Sequence, residues 1–149
     1  MRVAVVGTGR MGSAMVGRLV GAGHDVSVFN RTTSRAAALA EEHGIAVAPT
    51  AREAASAADV VVVSLADDAA VRAAYLGADG LVAGLRAGTV VADTSTVDPA
   101  TIRALGDDVA RVGATLIDTP VSGSVSSVQS GKLLVMAGGD QAMIRAVEG

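Results

Sequence analysis

The sequence RVAVVGTGRMG, residues 2–12, places three glycines directly after a short apolar segment. This context, between a predicted strand and a predicted helix, distinguishes a dinucleotide fingerprint from a chance GxGxxG. In such a fingerprint Gly7 permits a tight turn, Gly9 lets the backbone approach a pyrophosphate, and Gly12 lets the helix pack closely on the strand. The anion would rest on free N–H groups at the positive end of the helix dipole. The residues predicted to bind the dinucleotide here are Gly7, Thr8, Gly9, Arg10, Met11 and Gly12.

The rest of the chain alternates short valine-rich runs with alanine-rich stretches of helical length. That alternation is typical of strand–helix units around a parallel sheet. The continuous valines at 60–63 indicate a central strand covered by helices on both faces. We predict one doubly wound α/β domain over residues 1–149, a Rossmann fold with strand order 3-2-1-4-5-6, plus an extra edge strand at 133–137. The predicted strands are Arg2 to Val6, Asp25 to Asn30, Ile45 to Ala48, Val60 to Leu65, Thr89 to Asp93 and Thr115 to Val121.

Local signals mark the ends of several predicted helices. Thr50 and Glu53 have the spacing of a capping box, in which each side chain caps the other's backbone N–H. Asp98 precedes a proline, the favoured combination of N-cap and first helical residue. Ser34 is predicted to cap the second helix and Gly44 to end it.

Composition narrows the classes of function. The chain has 149 residues, 50% hydrophobic and 18% charged, which suits one globular domain with its own core. The absence of cysteine excludes thiol catalysis and Cys-ligated zinc, and it favours a cytoplasmic setting. His24 and His43 each lie beside a glycine and are interpreted as loop or cap residues, so no metal site is predicted.

Membranes and nucleic acids are not expected partners. The chain enters a strand at once, with no signal peptide, and its apolar runs are far shorter than the roughly 20 residues that cross a bilayer. A net charge of −3 without basic runs argues against nucleic-acid binding. The sole aromatic residues, Tyr75 and Phe29, leave no platform for stacking bases. A soluble protein is expected.

The end of the second predicted strand favours NADP over NAD. An NAD site usually offers a carboxylate there to the ribose 2′-hydroxyl, whereas this chain has Asn30, Arg31 and Thr32. Arg31 can pair with a 2′-phosphate through its planar guanidinium, and Asn30 and Thr32 can donate further hydrogen bonds. The alternative interpretation is that Arg31 is a solvated turn residue.

Several stretches together resemble the N-terminal domain of the β-hydroxyacid dehydrogenases, which include 3-hydroxyisobutyrate dehydrogenase and the cofactor domain of 6-phosphogluconate dehydrogenase. They occur in the family's order over nearly the whole chain. This set is more specific than the fingerprint alone. The matching stretches are GTGRMG at 7–12, VVVVSLAD at 60–67, DTSTVDP at 93–99 and DTPVSGS at 118–124, followed by GKL at 131–133.

The resemblance implies hydride transfer between NADP(H) and a small 3-hydroxy acid or its aldehyde or keto counterpart. It implies that Leu65 and Ala66 lie along the cofactor and that Thr96 approaches the nicotinamide. It also implies that Ser122 and Gly123 hold the substrate carboxylate. The loops concerned leave the carboxyl ends of parallel strands, where ligands bind in such folds.

Hydroxyl groups dominate the predicted substrate side of the pocket. Ser95, Thr96 and Ser122 can orient a small anion or carbonyl without adding a buried charge. Each could equally serve a turn or a helix cap. We include Ser95 with the other two among the predicted substrate-binding residues.

Two departures from the family pattern qualify these expectations. Family members commonly have two glycines after the serine, where this chain has Gly123 and Ser124, so a bulkier substrate loop is expected. The family's catalytic lysine lies on a helix leading into a second, all-helical domain, at a position beyond Gly149. Lys132 is not that residue, so we expect no catalytic residue of the family type in this chain. Homo-oligomers through that helical domain are expected.

Two alternatives remain open. Imine reductases resemble the same family in this domain and differ mainly at the proton donor. They do not need to hold a carboxylate, so the serine and glycine at 122–123 favour the hydroxyacid enzymes. The alternative from another class is a non-catalytic NADP-binding module.

Overall fold

Six parallel strands form the main sheet of the computed structural model, which describes residues 1–147. Their order is β3-β2-β1-β4-β5-β6, which confirms the predicted order. Most strands are shorter than predicted, because the parallel hydrogen-bond ladder stops where each connecting loop leaves the sheet. The strands are β1 (Arg2–Val6), β2 (Asp25–Phe29), β3 (Ala46–Val47), β4 (Val60–Val63), β5 (Val90–Asp93) and β6 (Thr115–Asp118).

Helices cover both faces of this sheet, as a doubly wound fold requires. On one face the core includes Val6, Val63 and Tyr75, and on the other it includes Val5 and Val28. Alternate residues of the same strand thus point into different core layers. The helices are α1 (Arg10–Gly21), α2 (Thr33–His43), α3 (Ala51–Ala57), α4 (Asp68–Tyr75), α5 (Leu81–Gly84), α6 (Pro99–Arg111), α7 (Val125–Gln129) and α8 (Gln141–Val147).

Two of the predicted helix ends are confirmed, one is confirmed in part and one is wrong. The Thr50 hydroxyl accepts from the Glu53 N–H at 3.0 Å, but the Glu53 carboxylate accepts from the Thr50 hydroxyl at 3.4 Å and not from its N–H, so half of the predicted capping box is present. Asp98 caps α6 through the Ala100 N–H at 2.7 Å. Gly44 ends α2 with a left-handed φ of 66°. Ser34 is not the cap of α2. The helix already begins at Thr33, so the hydroxyl of Ser34 lies inside the first turn.

The predicted sixth strand divides at Thr119 and Pro120. Proline has no N–H to continue a ladder, and the chain resumes as a short ribbon of β7 (Val121–Ser122) and β8 (Leu134–Val135). The extra strand therefore exists, but it pairs with β7 in an antiparallel ribbon and does not extend the main sheet. Reciprocal backbone hydrogen bonds between Asp118 and Gly138, at 3.0 and 2.8 Å, tie this ribbon to β6.

Within residues 1–147, no helix has the length and apolar character needed to cross a membrane. The same residues contain no group of three or more histidine, cysteine, aspartate or glutamate side chains that could hold a metal ion. His24 lies half-buried just before β2, and His43 is the last residue of α2.

Candidate functional site

The turn between β1 and α1 needs two of its three glycines for its own packing. Gly7 is buried with φ of +99°, and a Cβ there would lie 2.2 Å from the Ser64 carbonyl oxygen. A Cβ on Gly12 would lie 2.0 Å from the carbonyl oxygen of Gly7. Gly9 is different, because its φ is −72° and no described atom lies within 4 Å of the position of a Cβ. The space in front of Gly9 is therefore open to a ligand.

The start of α1 offers hydrogen-bond donors to that space. Gly9 is the N-cap and supplies no side-chain acceptor, and the first turn holds no acidic residue. The first N–H groups of a helix lack partners within the helix, so an anion fits here. The hydroxyl of Thr8 is buried and has no hydrogen-bond partner among the described residues. A buried hydroxyl is usually paired, so Thr8 is an exception in this turn.

Asn30 braces the fingerprint turn. Its Oδ1 accepts from the Thr8 N–H at 3.1 Å, while its Nδ2 donates to the Thr32 carbonyl at 3.0 Å. The prediction treated Asn30 as a free donor for a phosphate, but only one of its two amide hydrogens is left for that purpose. Sequence reasoning missed the bracing contact, although an asparagine at the end of a strand is a common signal for such side-chain-to-backbone bonds.

Arg31 is open to solvent beside this brace. Its side chain is exposed, and within residues 1–147 it has no carboxylate within 4 Å. Thr32 is the N-cap of α2, and its hydroxyl makes no capping hydrogen bond. Arg31 and Thr32 therefore stand free at the carboxyl end of β2, as the sequence predicted.

The residues predicted to face the nicotinamide and substrate lie on the loops after β4 and β5 and at the end of β7. Ala66, Thr96, Ser122 and Gly123 are exposed, and Leu65 is half-buried. All these loops leave the carboxyl edge of the sheet, which is also where the Gly7 turn begins. The structure thus brings the predicted residues to one edge.

Ser95 is the exception among the predicted substrate-binding residues. It is 4% exposed, and its Oγ accepts from the Leu65 N–H at 3.0 Å. Its own N–H donates to Asp93 Oδ1 at 2.8 Å. The structure therefore gives Ser95 a bracing role between the loops after β4 and β5, which corrects the expectation that its hydroxyl is free for substrate.

Asp93 is the residue at this edge that sequence reasoning did not single out. It is fully buried at the end of β5 and accepts from the Tyr75 hydroxyl at 2.8 Å. Burial raises the pKa of Asp93, while hydrogen bonds from Ser95 and Tyr75 act in the opposite direction. Burial and the neighbouring Asp93 carboxyl raise the pKa of Tyr75 well above its ordinary value. Tyr75 is the last residue of α4, and its hydroxyl reaches this edge through Asp93.

A second network joins the first turns of α4 and α6. The Asp68 carboxylate accepts from the Thr101 hydroxyl at 2.6 Å and from the Asp98 N–H at 3.2 Å. The hydrogen bond from Thr101 holds the pKa of Asp68 below its ordinary value. Arg72 donates to the same threonine oxygen at 2.9 Å. The network fixes the far side of the loop that carries Thr96.

The loop after β7 is shaped by its own packing. Gly123 has φ of +143°, and a Cβ there would lie 3.0 Å from both Leu133 Cδ1 and Ser127 Cβ. Ser124, the departure from the family's second glycine, begins α7 through a capping box with Ser127. The Ser124 N–H donates to Ser127 Oγ at 3.2 Å, and the Ser124 hydroxyl lies 2.8 Å from that of Ser126. Lys132 is exposed and lies before β8.

Comparison with known proteins agrees with this geometry. A family model described as the NAD binding domain of 6-phosphogluconate dehydrogenase matches residues 2–149. An uncharacterized oxidoreductase of Shewanella frigidimarina is 37% identical over 147 residues, covering 99% of this chain and 50% of its own length. The chain thus spans half the length of this relative.

Two solved structures show the same fold. Mycobacterium tuberculosis 3-hydroxyisobutyrate dehydrogenase, solved with L-serine, is 35% identical with a TM-score of 0.89, covering 99% of this chain and 49% of that one. A protein described as Psf3, solved with NADP+ and 2-OPP, is 34% identical with a TM-score of 0.91, covering 97% of this chain and 51% of that one.

Proposed function

The chain belongs to the family of the NAD-binding domain of 6-phosphogluconate dehydrogenase, and from this premise we propose that it is the NADP-binding part of a hydroxyacid dehydrogenase. The proposed reaction transfers a hydride between the nicotinamide and a small 3-hydroxy acid or its semialdehyde. The observation that carries the proposal is the open space at Gly9, next to the uncapped start of α1. When bound, the nicotinamide supplies the hydride donor and acceptor.

The proposed preference for NADP rests on charge at the end of β2. Arg31 is exposed there, and neither Asn30 nor Thr32 offers the carboxylate that would bind a ribose 2′-hydroxyl. A guanidinium binds phosphate through two parallel hydrogen bonds, which a free ribose hydroxyl cannot match. The NADP+ in the structure of Psf3 supports the same choice.

The proposed substrate class rests on the exposed loops at the other end of the site. Ser122 and Thr96 offer hydroxyl donors, and Gly123 leaves its backbone uncovered by a side chain. These groups suit a carboxylate and a carbonyl or hydroxyl on a small molecule. The L-serine in the Mycobacterium tuberculosis structure is itself a small 3-hydroxy carboxylic acid, which supports the proposed class.

We place the general acid outside the described residues. The sole lysine, Lys132, is exposed just before β8, and Tyr75 is buried with its hydroxyl donating to Asp93. Ser122 and Thr96 can orient a carbonyl, but hydroxyls of this kind are poor proton donors near neutral pH. The proposed role of this chain is therefore to bind and orient cofactor and substrate.

Titration of the chain with NADPH and NADH tests the proposed cofactor. We expect NADPH to bind at least tenfold more tightly, which is about 1.4 kcal/mol. Arg31→Ala should remove that preference, since one charge-assisted contact contributes about 1.5 to 3 kcal/mol, and should leave NADH binding unchanged. Arg35→Ala, which removes another exposed arginine on α2, is the matched control for general positive charge. Equal affinities of the wild-type chain for the two cofactors would contradict the proposed preference.

A further inference from the structure

A buried series of hydrogen bonds lies beneath the carboxyl ends of β4 and β5. The Tyr75 hydroxyl donates to Asp93 Oδ2 at 2.8 Å, and the Ser95 N–H donates to Oδ1 of the same carboxylate at 2.8 Å. The Leu65 N–H then donates to Ser95 Oγ at 3.0 Å. The series therefore runs from the last residue of α4 to the loop that follows β4, through a carboxylate with no exposed surface.

The backbone of Asp93 extends these connections to a third loop. Its carbonyl oxygen accepts from both the N–H and the hydroxyl of Thr119, at 2.8 and 2.9 Å. Thr119 lies three residues before Ser122, at the division that leads into β7. One residue thus connects the loops that carry Leu65, Thr96 and Ser122.

A buried carboxylate is an unfavourable group for stabilising this core. Removing a charged group from water costs several kcal/mol, and a well-packed apolar side chain of similar size often stabilises a core as well or better. Tyr75 otherwise belongs to an apolar core cluster that includes Val71, Leu81 and Leu105. Apart from the tyrosine hydroxyl, the carboxylate bonds to the backbone of a loop. It therefore acts mainly on loop conformation.

The fingerprint turn is held by separate contacts. Asn30 binds the Thr8 N–H, and the Gly7 N–H donates to the Phe29 carbonyl at 2.9 Å. Ser64, against which Gly7 packs, is held by its own N–H bond to the Val6 carbonyl at 2.9 Å. None of these hydrogen bonds involves Tyr75, Asp93 or Ser95. The two ends of the site are therefore fixed by different sets of contacts.

We propose that Tyr75, Asp93 and Ser95 are positioning residues for the nicotinamide half of the cofactor, a role that rests on the proposed function. The network fixes the distance between the loop that carries Leu65 and the loop that carries Thr96. In this proposal the nicotinamide binds between these two loops, so its site depends on the network. The adenosine half depends on the fingerprint turn and Arg31, whose hydrogen bonds are separate from those of the network, although Leu65 packs beside Gly7.

The test compares a whole cofactor with its adenosine fragment. Tyr75→Phe and Ser95→Ala should each weaken NADPH binding about tenfold, while the affinity for 2′,5′-ADP stays within about twofold of wild type. Both dissociation constants are measured by calorimetry, beside the melting temperature. The control is Val109→Ala, a substitution of a fully buried residue in the same core that touches none of the network's hydrogen bonds. It should lower the melting temperature without changing the ratio of the two affinities.

Each outcome of this comparison supports or overturns the positioning role. Suppose that the wild-type chain binds both ligands and that Tyr75→Phe and Ser95→Ala leave the ratio of the NADPH and 2′,5′-ADP affinities unchanged. That result overturns the positioning role and leaves the proposed function standing. A wild-type chain that binds neither ligand overturns the proposed function, and the network's role with it. Should Tyr75→Phe fail to fold, Ser95→Ala alone decides, and Ser95→Thr, which keeps the hydroxyl, should retain the wild-type ratio.

Discussion

Gly9 and Gly12 lie three residues apart and meet different physical demands. A side chain at Gly12 would collide with the backbone of Gly7, whereas a side chain at Gly9 would enter open space from a backbone conformation that any residue adopts. The fold itself requires glycine at position 12 but not at position 9. We therefore attribute the need for glycine at position 9 to the proposed ligand, in line with the sequence motif.

Substitution separates the two roles. Gly9→Val should weaken NADPH and NADH alike by about tenfold or more, because its methyl groups occupy the path of the pyrophosphate, while the melting transition stays cooperative and within a few degrees of wild type. Gly12→Ala is the matched control and should destabilise the fold, since its methyl group has no room. Circular dichroism melting and fluorescence titration measure both effects. Global unfolding of Gly9→Val would make this glycine structural and contradict the prediction.

At the scale of elements, one ion pair joins the start of β1 to the residue before β4. The guanidinium of Arg2 hydrogen-bonds to both carboxylate oxygens of Asp59, and these bonds lower the pKa of Asp59 from 3.8 to about 2. A carboxyl whose pKa is lowered by folding stabilises the folded state at pH values above its unfolded pKa. That contribution is lost as the pH falls from 3.8 through about 2.

Asp59→Asn should remove this pH dependence. We expect the free energy of unfolding of the wild-type chain to exceed that of the variant above pH 4, and the difference to shrink toward zero as pH approaches 2. The exposed pair contributes little, so the effect is a small shift in the urea midpoint. Asp108→Asn, which breaks the exposed pair with Arg111 inside α6, is the control. A difference that grows as the pH falls would contradict the assigned sign.

The elements also show how far sequence reasoning reaches. Strand order, the fingerprint turn and the caps at Thr50 and Asp98 depend on local patterns, so they could be predicted from neighbouring residues. The sequence did not predict that the sixth strand divides at Pro120, because the effect of a proline on a strand depends on which strand lies beside it. The bond from Tyr75 to Asp93 spans 18 residues and arises only when α4 packs on the sheet. No local pattern marks such a contact.

At the scale of the whole molecule, the carboxyl edge of the sheet carries the groups that we propose bind cofactor and substrate, and we assign no general acid among residues 1–147. Reduction of a carbonyl needs a proton for the developing alkoxide, and a positioned general acid contributes about 10²- to 10⁴-fold in rate. The exposed groups here are hydroxyls such as those of Thr96 and Ser122, and the hydroxyl of Tyr75 is buried. The chain spans half the length of its Shewanella frigidimarina relative. The other half of that relative is therefore a suitable source of the general acid in an experiment.

A chimera of residues 1–149 with the C-terminal half of that relative tests this reasoning. We expect the chain alone to bind NADPH, yet to reduce succinic semialdehyde, methylmalonate semialdehyde or glyoxylate at least about a hundredfold more slowly than the chimera, since it lacks the general acid. Loss of NADPH absorbance measures both rates, and Gly9→Val in the chimera is the control for cofactor-dependent turnover. Comparable turnover by the chain alone would place the acid within residues 1–149. Lys132→Met and Asp118→Asn would then test two candidates for it, because Lys132 is the sole lysine and burial raises the pKa of Asp118.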